Sequence, residues 1–330
     1  MSLRGTMVTL PYGYNDKIFD YDDISNAKYF YIREELNKYN IQLHTQDILP
    51  EKDSDFSIYV DHHINKPTNK KNYLIVNEPH PIVAKNHIKK NLKLFNKVFT
   101  WNDSLVDNEK IYKIQLSHDF SRLEPIRENK QDGFCLVISN KKSNHKYENY
   151  SLRYRVIDFF KNRTEKFDLY GKGWDKMAFK NFYIDYLFKN FTQSPPAAWR
   201  GVIVDKNNTF NMNYKRKLVS SYKFQFAIEN SKNIYGYISE KIIDCFISGN
   251  IPLYSGCKNI SEFIPSNAFI NLDNFENFSK AYEYIINLSP EEEIKIKRAG
   301  IDFLTGENKN IFDAKYNSKI IVNNIVDELL

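Results

Sequence analysis

Short apolar runs alternate with helix-like stretches along this 330-residue chain, and this alternation constrains the fold more than any other feature of the sequence. In the first part of the chain, strand-like runs lie at residues 40–45, 56–60, 73–76 and 98–101. Apolar residues at helical spacing occur over 26–39 and 84–95. Because strands separated by helices are typical of parallel sheets, the pattern predicts an α/β fold.

The same alternation restarts after a polar and charged stretch at residues 119–132. Further strands are predicted at residues 134–138, 167–170, 224–228, 251–254 and 268–270, with helices over 150–161, 239–248 and toward the C-terminus. We therefore predict two α/β domains, 1–125 and 126–330, and the last helix could pack back on the first domain. Chains of this kind hold ligands between their domains, at the carboxyl ends of strands.

The composition is that of a folded protein and limits the classes of function. Hydrophobic residues make up 42% of the chain and charged residues 27%, which excludes a disordered tail and a membrane bundle. The net charge of +6 is mild, and Lys and Glu alternate over most of the chain, so we expect no nucleic-acid partner. Cys135, Cys245 and Cys257 form no CxxC pair and indicate buried thiols in a reducing compartment.

The first thirty residues show no cleavable signal peptide, and no window offers about 18 uninterrupted apolar residues. The sequence therefore predicts a cytoplasmic protein, with peripheral contact to a membrane as an option. The densest basic stretch runs from Lys66 to Lys97. This stretch is either a solvated helix face or a surface that meets anionic lipid or an anionic glycan.

The segment 222–256 is the most informative part of the sequence. An apolar strand ends at Ile228, and a loop leads into a helix whose apolar residues recur at spacings of three and four. Ser239 is a natural N-cap for this helix, so free backbone N–H groups would favour an anion such as a diphosphate, with Lys241 adding a full charge. The alternative is an ordinary amphipathic helix whose exposed first turn carries Glu240 and Lys241.

Four blocks in and after this segment resemble the donor-binding signature of the family 10 glycosyltransferases, the α-1,3/4-fucosyltransferases. The blocks are YKFQFAIENS at 222–231, GYISEKIID at 236–244, GNIPLYSG at 249–256 and FIPSNAFI at 263–270. Their order and spacing are more specific than any one motif. Ile228 departs from the family pattern, in which an aromatic residue is usual at this position.

The resemblance implies a GT-B fold, in which two Rossmann-like domains face each other across a cleft. It also implies GDP-fucose as donor in the second domain, an acceptor in the first, and inversion at the sugar carbon with no metal ion or cofactor. By their match to the family motif, we expect Tyr237, Glu240 and Lys241 to contact the donor. Glu229 and Asn230 match the acid and the amide of the family's FENS block, and we expect them to position sugar and nucleotide.

A second anchor of the resemblance lies at residues 137–157. A strand that ends in Ser139-Asn140 is followed by an arginine, which in the family reaches the donor phosphates. The planar guanidinium suits this task because it can meet two phosphate oxygens at once. Both Arg153 and Arg155 are candidates, and Arg153 fits the register better.

A candidate general base follows the predicted strand at residues 73–76. Glu78 lies two residues after the end of this strand and is followed by Pro79 and Pro81, and in the family the base is a glutamate after such a strand. An inverting transferase needs such a group to take the proton of the acceptor hydroxyl. His80 is the second candidate for the base, and the alternative for Glu78 is a solvated loop acid.

Aromatic residues make up 15% of the chain, and we assign most of them to the two sheet cores. Several lie in or beside the blocks described above: Tyr73, Trp101, Tyr170, Trp174, Tyr222, Tyr237 and Tyr254. Because aromatic faces pack well against sugar C–H groups, we expect these residues to line the carbohydrate site.

Taken together, the residues and the resemblance predict a metal-independent, inverting fucosyltransferase that moves L-fucose from GDP-fucose to a hydroxyl of a glycan or glycolipid, with an α-linkage in the product. A lipopolysaccharide or capsule acceptor at the inner face of the bacterial cytoplasmic membrane is expected, with the lysines between 66 and 97 as a docking surface. The alternatives are a transferase for another GDP-deoxysugar and a catalytically idle nucleotide- or glycan-binding protein on the same scaffold.

Overall fold

A computed structural model of the chain describes residues 2–21, 26–62, 67–122, 132–188, 191–204 and 212–330. The chain forms two compact units. Residues 1–123, 235–237 and 309–330 make up unit 1, and residues 124–234 and 238–308 make up unit 2. The domain boundary predicted between residues 125 and 126 lies outside the described residues.

Unit 1 contains, in its described part, a six-stranded parallel sheet. The strands are β1 (Arg4–Val8), β2 (Gln42–Thr45), β3 (Phe56–Val60), β4 (Asn72–Val76), β5 (Lys97–Thr100) and β6 (Ile111–Lys113), in the order β2-β1-β3-β4-β5-β6. All residues of β3 and β4 are buried, as expected for central strands of a sheet covered on both faces. The apolar pattern does not predict β1 and β6, because β1 begins with Arg4, Gly5 and Thr6 and β6 has only three residues.

The helices of the described residues are α1 (Ala27–Asn37), α2 (Lys89–Leu92), α3 (Tyr150–Phe160), α4 (Phe182–Phe188), α5 (Met212–Val219), α6 (Glu240–Ile247), α7 (Phe278–Ile286), α8 (Pro290–Thr305) and α9 (Ala314–Leu329). In unit 1, α9 packs against α1, and the two helices share one hydrophobic core with the sheet. The helix predicted over 84–95 is shorter than expected, since Ala84–His87 is a 3-10 turn that precedes α2.

Unit 2 contains a five-stranded parallel sheet in the residues described. Its strands are β7 (Phe134–Val137), β8 (Phe167–Tyr170), β9 (Phe224–Ile228), β10 (Ile251–Ser255) and β11 (Ile270–Asn271), in the order β11-β10-β9-β7-β8. The chain therefore leaves β7 on one side to form β8 and returns on the other side to form β9. Such a reversal marks the place where open α/β sheets bind ligands, at the carboxyl ends of the strands.

Stacked phenylalanine rings fill much of the core of unit 2. Phe134 lies 5.0 Å from Phe224 and Phe160 lies 4.6 Å from Phe167, measured between ring centroids. Two parallel sheets with helices confirm the predicted α/β class. None of the helices in the described part of the chain combines the length and the apolar character needed to span a membrane.

Candidate functional site

The carboxyl ends of β7 and β9 open onto a cavity of about 420 Å³ in unit 2. This is the point at which the strand order reverses. The walls of the cavity come from the segment after β7, from α3, from the end of β9 and from the start of α6. The cavity brings together four residues that the sequence predicts as donor ligands: Arg153, Asn230, Glu240 and Lys241.

A buried carboxylate fixes the start of α6. Glu229 Oε1 accepts a hydrogen bond from the backbone N–H of Ser239 at 2.7 Å, and Oε2 accepts one from Ser239 Oγ at 2.6 Å. Lys241 Nζ lies 3.3 Å from Glu229 Oε2. Because Glu229 is fully buried, it depends on these donors and this counter-charge. Its carboxylate therefore positions Ser239 and Lys241, and its own oxygens are already engaged.

Ser239 is the N-cap of α6, as predicted. Its backbone is extended, with φ −96° and ψ −173°, and its side chain accepts from the backbone N–H of Lys241 at 3.5 Å. An N-cap of this kind holds the first turn open to ligands, where the helix dipole is positive.

Lys241 lies among three oxygen-bearing side chains. Nζ donates to Ser239 Oγ at 2.9 Å and lies 3.5 Å from Glu240 Oε1, in addition to its contact with Glu229. Burial disfavours the ammonium, but the attraction of Glu240 and Glu229 outweighs it, and the pKa of Lys241 is raised above its usual value. The side chain therefore carries a fixed positive charge on the cavity wall.

Arg153 reaches from α3 to the end of β9. Its Nη2 donates to Asn230 Oδ1 at 2.8 Å and to the carbonyl oxygens of Ile228 and Glu229, each at 3.1 Å. The residue is only 1% exposed and lines the cavity, whereas Arg155 on the same helix is exposed. Of the two predicted arginines, Arg153 is therefore the one at the cavity.

Sequence patterns do not identify three further cationic side chains in the lining: Lys141, Lys172 and Lys215. With Arg153 and Lys241 they give five cationic groups among the described lining residues, which include one carboxylate, that of Glu240. Lys215 lies on α5, beside Arg216 and Lys217, and such a run is usually read as surface charge. In the structure its Nζ is 2.7 Å from the buried Asp244 Oδ2 of α6, which fixes it at the cavity.

Glu240 is exposed at the cavity, with 48% of its side chain accessible. Desolvation raises the pKa of its carboxyl, but the attraction of Lys241 and Lys215 is stronger, and the pKa lies below its usual value. The carboxylate is therefore ionised at the cavity mouth, where it can accept hydrogen bonds from a polar ligand such as a sugar hydroxyl.

In unit 1, Glu78 follows β4 and its backbone is held on both sides. Asp61 Oδ1 accepts hydrogen bonds from the N–H groups of Asn77 at 2.8 Å and Glu78 at 3.0 Å. The carbonyl oxygen of Glu78 accepts from Asn86 Nδ2 at 3.2 Å and lies 3.0 Å from His87 Nε2. The turn is therefore fixed by side-chain hydrogen bonds as well as by the flanking prolines.

Asp61 is a positioning residue that the sequence reasoning missed. It follows β3 as Glu78 follows β4, so the same signal, an acid at the end of a buried strand, could have found it. It adopts a left-handed backbone with φ 59°, which is uncommon for a residue other than glycine. Asn86 Nδ2 donates to its Oδ1 at 2.6 Å and completes the support of the turn.

His80, the second candidate for the base, stacks on His87 with ring centroids 3.8 Å apart. His87 in turn packs near Trp101, at 5.1 Å between ring centroids. In the described part of the chain, no group of three or more His, Cys, Asp or Glu side chains has the arrangement of a metal site.

The expectation that aromatic residues of the family blocks line a carbohydrate site is wrong for this structure. Each of the seven is at most 9% exposed: Tyr73, Trp101, Tyr170, Trp174, Tyr222, Tyr237 and Tyr254. Tyr237 belongs to unit 1, where its ring lies 4.7 Å from that of Trp101, and it is not among the residues that line the cavity of unit 2. Bulk and apolar area place these rings in the cores.

Comparison with protein families gives a match to the second part of the chain. Residues 127–295, just over half of the chain, match the model described as the C-terminal part of glycosyltransferase family 10 (fucosyltransferase). All of the predicted residues of unit 2 lie within this range, and Glu78 lies outside it.

Curated relatives match over shorter stretches. An α-(1,3)-fucosyltransferase of Helicobacter pylori is 35% identical over 106 residues, which cover 32% of this chain and 21% of that protein. The α-(1,3)-fucosyltransferase 4 of Bos taurus is 42% identical over 64 residues, which cover 18% of this chain and 16% of that protein. The chain thus spans about a fifth of the length of the curated relatives that it matches.

Solved structures match along the whole chain. A crystal structure of an α1,3-fucosyltransferase has a TM-score of 0.59 and 18% identity, covering 98% of this chain and 90% of that one. The complex of an α1,3-fucosyltransferase with GDP-fucose has a TM-score of 0.57 and 20% identity, with coverages of 99% and 90%. A DNA-modifying β-glucosyltransferase has a TM-score of 0.57 at 11% identity, with coverages of 98% and 100%. These likenesses concern the fold, and the predicted GT-B fold is confirmed.

One prediction concerns Lys28, which is 6% exposed and donates to Asn77 Oδ1 at 2.6 Å beside the Glu78 turn. Desolvation lowers its pKa to about 8, although Asp61 opposes the shift. Between pH 8 and 10.5 the folded state therefore holds fewer protons than the unfolded state, and stability rises with pH. Over this pH range, the free energy of unfolding of the wild type should rise by up to roughly 3 kcal/mol relative to that of Lys28→Met, as measured by urea unfolding.

Lys38→Met provides the control for the Lys28 experiment, because Lys38 is the C-cap of the same helix and its side chain is 60% exposed. Its unfolding free energy should follow the wild type at every pH. Parallel pH profiles for the wild type and Lys28→Met would contradict the assignment of a perturbed Lys28.

Proposed function

This chain belongs to glycosyltransferase family 10, and we propose that it transfers L-fucose from GDP-fucose to a hydroxyl group of a glycan. The observation that carries the proposal is the charge of the cavity in unit 2, where five cationic side chains and the start of α6 converge. Such a site suits a diphosphate, which carries charge on several oxygens. The α1,3-fucosyltransferases with similar folds were solved with GDP-fucose and with GDP, which favours guanosine diphosphate as this diphosphate.

The donor would be held by groups with distinct tasks. The diphosphate would be bound by Lys241, by Arg153 and by the backbone N–H groups of the first turn of α6. These groups would stabilise the negative charge that develops on the diphosphate as its bond to the sugar breaks. Glu240 would accept hydrogen bonds from hydroxyl groups of the nucleotide-sugar, and Asn230 would hold the Arg153 guanidinium in place. These protein cations would do the work of a metal ion, so the transfer would need no metal and no cofactor.

Glu78 would be the general base. Its carboxylate would take the proton of the acceptor hydroxyl while the oxygen forms a bond to the anomeric carbon, and the bond from that carbon to the diphosphate would break. GDP leaves with the electron pair of that bond. A single displacement of this kind inverts the configuration and would give an α-linked fucoside.

Glu78→Gln should therefore lower the transfer rate by roughly 10²- to 10⁴-fold, because an amide cannot accept the proton. The affinity for GDP should stay within about twofold of the wild type, since a diphosphate has no need of the base. Rates are measured by GDP release with a glycan acceptor and affinity by calorimetry. Glu34→Gln, an exposed acid on α1, is the matched control and should behave as the wild type.

Near-normal transfer by Glu78→Gln would show that the base is a different group. A wild type that binds GDP and transfers no sugar would instead favour a catalytically idle binding protein. If the wild type transfers a sugar from another GDP-deoxysugar and none from GDP-fucose, fucose would be the wrong sugar. The assignments of the base and of the GDP pocket would be unaffected.

Lys241→Met should weaken GDP binding by roughly 10- to 100-fold, because a hydrogen bond to a charged group is lost. Lys223→Met is the matched control, since Lys223 pairs with Glu293 and does not line the cavity. Lys241→Met alone leaves the buried Glu229 carboxylate without its counter-charge, so the double variant Glu229→Gln/Lys241→Met is measured as well. This double variant should regain stability and still bind GDP weakly, and recovery of GDP affinity in it would contradict a direct role of Lys241.

We further propose a membrane-bound acceptor, the glycan of lipopolysaccharide or capsule. The predicted basic stretch begins at Lys66, which lies outside the described residues, and ends at Lys97. Two of its lysines contact α9: Lys71 Nζ lies 3.0 Å from Glu328 Oε1, and Lys97 Nζ donates to the Asn324 carbonyl at 2.6 Å. Lys70 is exposed before β4, and the other lysines form a surface around α2 with three exposed apolar side chains. This surface consists of Lys85, Lys89, Lys90 and Lys93 with Ile82, Ile88 and Leu94. Ile88 is 50% exposed, and residues 81–94 contain no acid. Basic and exposed aliphatic side chains on one short helical segment suit the surface of an anionic bilayer.

Lys89→Glu/Lys90→Glu should reduce binding to phosphatidylglycerol vesicles by roughly tenfold or more, because each lysine near an anionic surface contributes about 1 kcal/mol. Co-sedimentation with these vesicles and with phosphatidylcholine vesicles measures the effect. Lys315→Glu/Lys319→Glu reverses two exposed charges on α9 of the same unit and should have a small effect. Equal losses in both double variants would contradict a surface localised at α2.

A further inference from the structure

Gln225 is the second residue of β9, the central strand of the unit 2 sheet. Side chains alternate along a strand, and Phe224, Phe226 and Ile228 point into the main core of unit 2. Gln225 therefore points to the opposite face, where its partners in register are Cys135 on β7 and Pro252 on β10. An aliphatic side chain would suit these apolar neighbours, so the amide at this position calls for an explanation.

The amide of Gln225 has no hydrogen-bond partner among the residues that the structure describes. The residue is 3% exposed, and its Oε1 is buried without a donor. Asn149 and Asn250 of the same unit also have an unpaired amide oxygen, but their amide nitrogens are bonded: Asn149 Nδ2 donates to Ser255 Oγ at 2.9 Å and Asn250 Nδ2 to the Val219 carbonyl at 2.9 Å. A buried polar atom without a partner destabilises the fold, and such atoms are typical of sites that a ligand completes.

The same residue lines the cavity that holds Lys241 and Arg153. A neutral amide adds nothing to the charge that a diphosphate needs, and the cavity already supplies that charge. The lining also includes the apolar residues Val202 and Ile203, whose side chains can pack against the flat faces of a base. The cavity thus offers apolar walls and an unpaired acceptor in addition to its cations.

We propose that the side-chain amide of Gln225 hydrogen-bonds the nucleoside part of the donor nucleotide, and that it contributes to the choice of nucleotide. This inference rests on the proposed function, since it assigns a contact within the same donor pocket. The nucleoside offers N–H and O–H donors that fit the free Oε1, whereas an ionised diphosphate offers acceptors only.

The test compares GDP with pyrophosphate, which shares the charged groups and lacks the nucleoside. Gln225→Met keeps the length of the side chain and removes the amide. It should weaken GDP binding by about 3- to 10-fold and change pyrophosphate binding by less than twofold, both measured by calorimetry on the intact protein. The thermal unfolding midpoint without ligand should be unchanged or higher, because a buried atom without a partner is removed. If Gln225 served the structure alone, Gln225→Met would have a lower thermal unfolding midpoint, and the ratio of its affinities for GDP and pyrophosphate would equal that of the wild type.

Gln193→Met is the matched control. Gln193 lies in the same unit, its Nε2 donates to the Trp174 carbonyl at 3.1 Å, and it lines a different cavity, so both affinities should stay at the wild-type values. Equal affinity of Gln225→Met and the wild type for GDP overturns the inference, and so does an equal loss for GDP and pyrophosphate. If the wild type binds neither ligand, the proposed function fails as well, which separates that failure from a failure of the Gln225 assignment alone.

Discussion

The arrangement of the cavity in unit 2 depends on one buried carboxylate. Glu229 ends β9, and its two oxygens bind the backbone and the side chain of Ser239 and face the ammonium of Lys241. A charge with no solvent access is tolerated only when its partners are in place, so this contact ties the strand to the first turn of the helix. Gly256 allows the close packing, because a Cβ there would lie 2.5 Å from Glu229 Cγ. The positions of the N-cap, the helix dipole and the cation all follow from this contact.

The two units prepare different chemistry by similar means. In unit 2, buried hydrogen bonds hold cations at the ends of β7 and β9, and α5 adds Lys215 through its contact with Asp244. In unit 1, Asp61 holds the backbone of the turn that carries Glu78. In both places a buried acidic side chain holds in position a residue that could contact a ligand. Preorganisation of this kind is what electrostatic catalysis requires.

Much of the fold could be predicted from sequence, because parallel strands are buried on both faces and appear as apolar runs. The residues of β3, β8 and β9 coincide with predicted runs, and α6 begins after its predicted N-cap. β1 could not be predicted in this way, since its polar Thr6 is buried through a hydrogen bond to the Leu49 carbonyl, 43 residues away. Contacts of this range leave no local pattern.

The same limit applies to the candidate site. The predicted N-cap pointed to Lys241 and the family resemblance to Arg153, but neither could distinguish Glu229 as a buried support from a ligand contact. They also placed aromatic side chains at a sugar site, whereas the structure buries these rings. Lys215 and Gln225 lie in ordinary local sequence, and only the packing of α5 and the sheet brings them to the cavity.

In the proposed mechanism, protein cations alone hold the diphosphate of the donor. Titration of the intact protein with GDP, once in EDTA and once in millimolar Mg²⁺, measures whether binding needs a divalent cation. We expect saturable binding of one GDP per chain with the same affinity in both buffers, within about twofold. Binding that appears only when the divalent cation is present would contradict it.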